Sequence, residues 1–346
     1  MPLWLPSLDS VAPQILLSTS VTIARNIQGL TFPPFRGHSD QAEEAHLLAY
    51  HALKNLPVFM NALVFNTADL TTEQKRIIGR RAIAPKEFLA SSAYRTLMVT
   101  PDESVIARIN NQNHIEILLR RPGNCPQQLT RHAMGLMKQL DDSLDFAKDP
   151  EFGYICTNLE QIGNGMRIQI FAHLPALELR DYSAQTVNAA RELNFLLEYG
   201  FSTPQKQDAL LYKLRTRTAY SEYPDVQAKR LGDFAKKLEN HELDVRHILL
   251  DSSDKGNLLD FIGRARGLVN YAHRLSLPES RRILSACWLG AEMGLLPEET
   301  RNIAIRLLAE INGDDAKQDE NTIASTIRRR ESRAQLFRNT LAKYLK

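Results

Sequence analysis

An arginine run near the C-terminus, IRRRESRAQLFR, is the most chemically pointed feature of this sequence; within it Arg329 and Arg333 stand four residues apart. On a helix that spacing puts both guanidinium groups on one face about 6 Å apart, where two planar forks can grip a single phosphate. The same run also reads as a basic solvated helix, or one lying on an acidic partner, because arginine-rich helices are common. Arg167 stands in a second segment, IGNGMR, behind Gly163 and Gly165. Those glycines do not open a helix after a strand, so they read as hairpin-turn residues rather than as a phosphate-cradling loop. His114, in NNQNHIEI, makes no catalytic pair by itself and reads as structural. Cys125, Cys156 and Cys287 are scattered, odd in number and form no CxxC pair. That argues against a disulfide framework or a zinc site and fits a reducing cytoplasm. No nucleophile–base pair and no metal-ligand cluster is legible.

The elements that must position these residues change character along the chain. Gln41 to Val64 carries apolar residues at helical spacing, with Pro57 expected to kink or split it. TTEQKRIIGRR is a plausible helix start, and YRTLMVT, SVIARIN and HIEILLR follow as antiparallel strands across 94–120. A helix is predicted over 126–147, then strands in FGYICTN and MRIQIFAHL on either side of EQIGNG. Strands and helices mix without a repeated βαβ pattern, which favours an α+β domain with an antiparallel sheet. From about Pro224 the sequence reads almost wholly as helix, ending in a polar linker (312–321) and a basic helix from Thr322 to Lys346. Leu284, Cys287, Trp288, Ala291, Leu295 and Leu296 form a helical stripe suited to a core or a dimer seam.

Composition bounds the function classes. A length of 346 residues suits about two domains. With 43% hydrophobic and 24% charged residues the balance is that of a soluble globular protein. The 43 basic residues are offset by 40 acidic ones, and a net charge of +3 gives no support for a dedicated nucleic-acid binder. No stretch approaches the ~20 uninterrupted apolar residues of a membrane span. The start, MPLWLPSLDS, lacks the basic and long apolar regions of a signal peptide. The expectation is a cytoplasmic protein without nucleic-acid or membrane partners.

Four ordered segments resemble the guanidino kinases, the ATP:guanido phosphotransferases. STSVTIARNIQGLTFP (18–33) is similar to the family's opening S-[ST]-R-x-R-x-x-R-N followed by FP. DESVIARINNQNHIEI (102–117) is similar to the segment ending N-E-E-D-H-[IL]-R-I, and FGYICTNLEQIGNGMR (152–167) to F-G-Y-L-T-x-C-P-T-N-x-G-T-G-M-R, with HLPAL (173–177) at the family's distance. The run GRARGLVNYAHRLSLPESRRILSACWLGAEMGLL (263–296) resembles the helical domain of bacterial protein-arginine kinases of McsB type. The resemblance implies a guanidino-kinase-like antiparallel sheet flanked by helices over 1–238, followed by an all-α domain over 239–346.

Phosphoryl transfer from ATP is mostly positioning and neutralisation of charge, which the family is expected to perform with several arginines. On the resemblance, two clamp arginines fall at Ser20 and Thr22, a third at Glu116, and a fifth at Glu198 in LLEYGF; one, Arg167, is retained. The carboxylate that orients the substrate guanidinium becomes Gln112, flanked by Asn111 and Asn113, and the active-site cysteine becomes Asn158. Arg329 and Arg333 fall on the two arginines of a motif thought to recognise phosphoarginine, with Arg330 in place of its acid. The resemblance therefore implies a pseudokinase that needs no cofactor and works as an adaptor in protein quality control. Its implied partners are a true kinase subunit, a zinc-finger activator, a Clp-type unfoldase or phosphoarginine-marked protein, with a homodimer among the possibilities. The alternative is an active protein-arginine kinase using ATP and Mg2+, with displaced or partner-supplied residues.

Overall fold

Alternating residues build the central layer. In β1 (Leu16–Arg25), Val21 and Ile23 point into the helix-covered core while Ser20 and Thr22 point the other way. The structure is a computed structural model describing residues 2–345 apart from 7, 9–13, 36, 91–92, 202–209, 221, 252–254 and 313–322. After β1 come α1 (Ser39–Lys54), β2 (Leu63–Asn66), α2 (Thr72–Arg80), α3 (Lys86–Leu89), β3 (Thr96–Val99), β4 (Val105–Ile109) and β5 (Ile115–Pro122). Next are α4 (Pro126–Asp141), the short β6 (Lys148–Asp149) and β7 (Gly153–Tyr154), β8 (Met166–His173), α5 (Pro175–Leu179), α6 (Ser183–Glu192), β9 (Phe195–Tyr199) and β10 (Leu211–Thr216). Helices complete the chain: α7 (Pro224–Asp251), α8 (Lys255–Tyr271), α9 (Leu277–Glu292), α10 (Glu299–Ile311) and α11 (Ile323–Leu341).

Eight strands form one antiparallel sheet in the order β2-β3-β4-β5-β1-β8-β10-β9. The α+β class with an all-helical C-terminal region is thus the observed architecture. Three local expectations are corrected. Pro57 ends the first helix rather than kinking it: Leu56 turns extended ahead of the proline, a 3-10 turn follows, and Leu63–Asn66 becomes the edge strand β2. The helix expected over 126–147 stops at Asp141, because Asp145 and Ala147 are drawn into backbone bonds with Gln28 and Asn26. FGYICTN and MRIQIFAHL do not form a hairpin; β7 pairs with β6, and residues 155–165 are a loop containing a 3-10 turn. Gly165 in that loop (φ +73°) lies where a Cβ would sit 2.7 Å from the Ala24 carbonyl oxygen, so its bareness lets the loop close on β1. Of the expected linker, residues 313–321 lie outside the described residues, as does Thr322.

The two regions share a helix. α7 buries Ala228, Leu231, Ala235, Leu238, Glu242, Val245 and Leu249, an alternating three-four spacing that runs unbroken through residue 238. Its first half packs on α4 and β10 and its second on α5 and α8. The seam between sheet and helical region contains buried charge. The Glu242 carboxylate accepts the Ala176 and Leu177 N–H groups at 3.0 Å and pairs with Arg246 at 2.9 Å. Arg246 also reaches Glu292 (2.7 Å), which pairs with Arg301 (3.1 Å) and accepts the Trp288 indole N–H (2.8 Å). Burial opposes the Arg246 charge, but Glu242 and Glu292 outweigh it and leave its pKa raised. His173 stacks on Trp288 with ring centroids 4.2 Å apart and meets the Ser285 hydroxyl at 2.7 Å. Leu284, Cys287, Trp288 and Leu296 of the helical stripe are buried in this core.

Candidate functional site

Register brings the predicted positions together on the polar face of the sheet. Ser20 lies opposite Arg120 on β5 and Gln169 on β8; Thr22 lies opposite Leu118 and Arg167. Glu116 lies opposite Ala24 and Arg108, Arg215 opposite Gln169, and Lys213 opposite Phe171 and Glu198. Directly opposed residues share a face, so Ser20, Thr22, Glu116, Arg167 and Glu198 share one surface with Arg108, Arg120, Lys213 and Arg215. None of these last four follows from the sequence motifs. The alternation LYKLRT was the available signal for Lys213 and Arg215, since it puts both on one side of a strand.

Two cations on this face, Arg167 and Arg215, are held by carboxylates. Arg215 forks onto Glu160 through Nη1 (2.8 Å) and Nη2 (3.3 Å), and onto Glu198 through Nε (2.9 Å) and Nη2 (3.0 Å). Arg167 Nη2 meets the same Glu160 at 3.4 Å. Arg167 is pushed down by burial and by neighbouring Arg215, against the pull of Glu160, Glu116 and Glu198. Glu198 is held below its ordinary range, chiefly by its hydrogen bonds from Arg215. Asn158 orients the shared acid: its side chain caps the turn Leu159–Gln161 by accepting the Glu160 N–H at 3.0 Å. Sequence reasoning did not single out Glu160, which no periodic pattern marks.

At the other end of the face Glu116 is cradled. Asn111 Nδ2 donates to it at 2.6 Å, Asn113 Nδ2 at 3.3 Å, and Arg108 lies 3.9 Å away. Gln112 is exposed in the turn between β4 and β5, apart from this cradle. His114 is a structural cross-link: Nδ1 accepts the Ile27 N–H at 2.9 Å and Nε2 lies 3.0 Å from the Thr31 carbonyl oxygen. Burial pushes its pKa down. Arg25, fully buried, lies 3.4 Å from the centroid of the Tyr154 ring and 3.6 Å from the Asp141 carboxylate. Cys156 is also buried, and burial pushes its thiol up to about 11, so it is no ready nucleophile at neutral pH.

Arg329 and Arg333 do share one face of α11, far from the sheet in sequence. Arg333 is buried, donating from Nε to the Leu275 carbonyl at 3.2 Å, and Arg329 reaches the Thr326 hydroxyl at 3.4 Å. Arg338 from the same helix donates to the Asn270 (3.3 Å) and Ala272 (2.7 Å) carbonyls at the end of α8. Arg333 and Arg338 thus hold the loop between α8 and α9. Among the described residues no group of three His, Cys, Asp or Glu side chains could hold a metal ion, and no helix is long and apolar enough to cross a membrane.

Comparison with known proteins agrees with this architecture. Residues 44–203 match the model of the ATP:guanido phosphotransferase C-terminal catalytic domain, and residues 255–346 that of the protein-arginine kinase McsB C-terminal domain. The protein-arginine kinase of Syntrophomonas wolfei is 24% identical over 343 residues, covering 98% of this chain and 94% of that one. That of Shouchella clausii is 24% identical over 338 residues, covering 96% and 93%. Among solved structures, lombricine kinase aligns with a TM-score of 0.57 at 18% identity, covering 70% of this chain and 72% of that one. The duplicated taurocyamine kinase of Schistosoma mansoni with bound transition-state-analogue components aligns at 0.61 and 14% identity, covering 83% and 39%. With two domain models matched in order and relatives aligned along nearly its whole length, the chain belongs to the ATP:guanido phosphotransferase superfamily and resembles its bacterial protein-arginine kinases.

Proposed function

We propose that this chain is a catalytically degenerate member of its family, a pseudokinase that acts by binding rather than by transferring phosphate. One observation carries the reading: Arg167 and Arg215 are already neutralised by Glu160 and Glu198, beside the hydroxyls of Ser20 and Thr22 where the family resemblance places arginines. A triphosphate entering beside Arg167 and Arg215 would meet the carboxylates of Glu160 and Glu198 rather than free guanidinium groups. Each such pair at about 4 Å costs ~4 kcal/mol at an effective dielectric near 20. Loss of a single donor to the developing charge typically slows transfer by ~10²–10³. Gln112 and Asn158 supply neither a carboxylate nor a thiol for the acceptor side, and Cys156 is a buried neutral thiol. ATP and Mg2+ do not fit this arrangement, and the reading assigns the chain no cofactor.

The role left to such a chain is that of a cytoplasmic adaptor or regulator in protein quality control. Its partners would be a kinase subunit, a zinc-finger activator, a Clp-type unfoldase or phosphoarginine-bearing protein, with Arg329 and Arg333 as the phosphoarginine-binding pair and a homodimer as one form of assembly. Calorimetric titration with Mg–ATP or Mg–ADP tests the central claim; affinity no tighter than millimolar is expected.

A second reading is favoured by the relatives' printed activity and by the five basic residues on one sheet face: a working ATP-dependent protein-arginine kinase. Labelled ATP and a protein substrate, with and without partner proteins, would then give an acid-labile phosphoarginine signal abolished by Arg167→Ala. Such a signal replaces the first reading by the second.

A further inference from the structure

Beside the ion-paired cluster, the same sheet face carries a cavity of about 320 Å³. Its floor is made by Ser20, Thr22, Gln169 and Lys213, and its wall by Trp4, Phe171 and Phe201. The wall is a built aromatic corner: Trp4 meets Phe171 and Phe201 edge-on, with centroids 5.7 and 6.0 Å apart. The guanidinium of Arg281 packs on Phe201 at 3.9 Å and steadies that ring.

The floor differs from its surroundings in one respect. Among the described residues, the side chains of Ser20, Thr22, Gln169 and Lys213 make no hydrogen bond or ion pair with protein, although they converge on one space. The other cation lining the cavity, Arg120, is spent: it donates to the Glu103, Arg81 and Ala82 carbonyls at 2.9, 2.9 and 3.1 Å, and pairs with the Glu103 carboxylate at 3.2 Å. Glu198, across the strand from Lys213, is held by Arg215. Lys213 is therefore the one cation of the described lining whose donors remain open.

Charge and shape together select the ligand. One ammonium balances one negative charge; further charge on a ligand would be buried unpaired, at a cost of several kcal/mol per ion. Neutral hydroxyls and an amide beside the ammonium can complete a carboxylate's hydrogen bonds, and three rings offer a flat apolar body its contacts. We propose that this cavity binds a small organic monoanion, an aromatic carboxylate whose carboxylate sits on the Lys213 ammonium and whose ring packs against Trp4, Phe171 and Phe201. Burial, reinforced by nearby Arg215 and Arg167, pushes the Lys213 pKa down against the pull of Glu198, and a bound carboxylate relieves that strain on the charge. The inference rests on the reading that this face no longer takes a nucleotide.

Calorimetry on the full chain tests it with phenylacetate and indole-3-acetate, using benzyl alcohol, inorganic phosphate and Mg–ADP as controls. The arylacetates are expected to bind with Kd below about 1 mM, and Lys213→Met to weaken them at least about tenfold. Benzyl alcohol and phosphate are expected to bind more weakly than either acid. Thr22→Phe, which fills the floor without adding charge, is expected to exclude the arylacetates while circular dichroism shows the fold retained. Should Lys213→Met not fold, Lys213→Gln reads the charge, and phenylacetate quenching of tryptophan fluorescence that is lost in Trp4→Phe reads the ring contact. Absence of arylacetate binding at ~10 mM, unchanged affinity in the lysine variants, or phosphate binding as tightly as the acids overturns the proposal. Tight Mg–ADP binding instead overturns the pseudokinase reading, so the two failures are told apart.

Discussion

At the scale of single residues, this face is decided by which carboxylate reaches which arginine. Glu160 is shared by Arg167 and Arg215, and Glu198 completes the second fork on Arg215. If that neutralisation is what excludes anions, the double variant Glu160→Gln, Glu198→Gln releases two guanidinium groups and strengthens Mg–ADP binding by about tenfold or more. Calorimetry reads the gain, and an affinity equal to that of the unaltered chain would show that neutral Ser20 and Thr22 suffice by themselves. The sequence carried half of this picture. Motif spacing placed Ser20, Thr22, Glu116 and Arg167, and strand register puts all four on one surface. It missed Glu160, because a 3-10 turn capped by Asn158 has no period to betray it, and it missed Lys213 and Arg215, because within 178–222 only LLEYGF, around Glu198, resembles a family motif. The Arg329–Arg333 pair was legible as a shared helical face; the burial of Arg333 against the Leu275 carbonyl was not, since it depends on which loop α11 packs upon.

At the scale of elements, the antiparallel sheet and the helical C-terminal region were readable from period alone, whereas element ends were not. The first helix stops at Lys54 and α4 at Asp141 because of long-range backbone bonds and a proline, neither of which a hydrophobic pattern encodes. The join between sheet and helices depends on Glu242, whose two oxygens hold the first N–H groups of α5 and the guanidinium of Arg246. Glu242→Ala strands two backbone donors and leaves Arg246 with Glu292 alone. Removing one partner of a buried pair costs ~3–5 kcal/mol, so a clear fall in urea midpoint is expected. A change below about 1 kcal/mol would mean that water or Glu292 takes over the vacated role.

At the scale of the whole molecule, His173 ties stability to acidity. It is buried between Ser285 and Trp288; burial, then Arg246 and Arg301, hold its pKa well below the ordinary value. The folded chain thus keeps the imidazole neutral while the unfolded chain takes up a proton below about 6.5. Its contribution is complete above that value and is lost as pH falls toward the depressed folded value. The slope from this residue is at most ~1.4 kcal/mol per pH unit, and His114, also lowered by burial, acts in the same sense. Thermal melts between pH 7.5 and 5.5 are expected to show Tm falling, and His173→Gln to flatten the curve; a Tm that rises on acidification contradicts the assignment.

The 28 residues of α7 extend for about 42 Å and pack along one continuous core that runs from the sheet into the helical region. An extra residue slipped into the middle of that rod would turn everything beyond it by about 100° and lift it by about 1.5 Å. Ala228, Leu231 and Ala235 would keep their seat while Glu242, Val245 and Leu249 swung away from theirs. Recombination between relatives of this chain is therefore tolerable outside the rod, or inside it only when the inserted length restores the seven-residue phase.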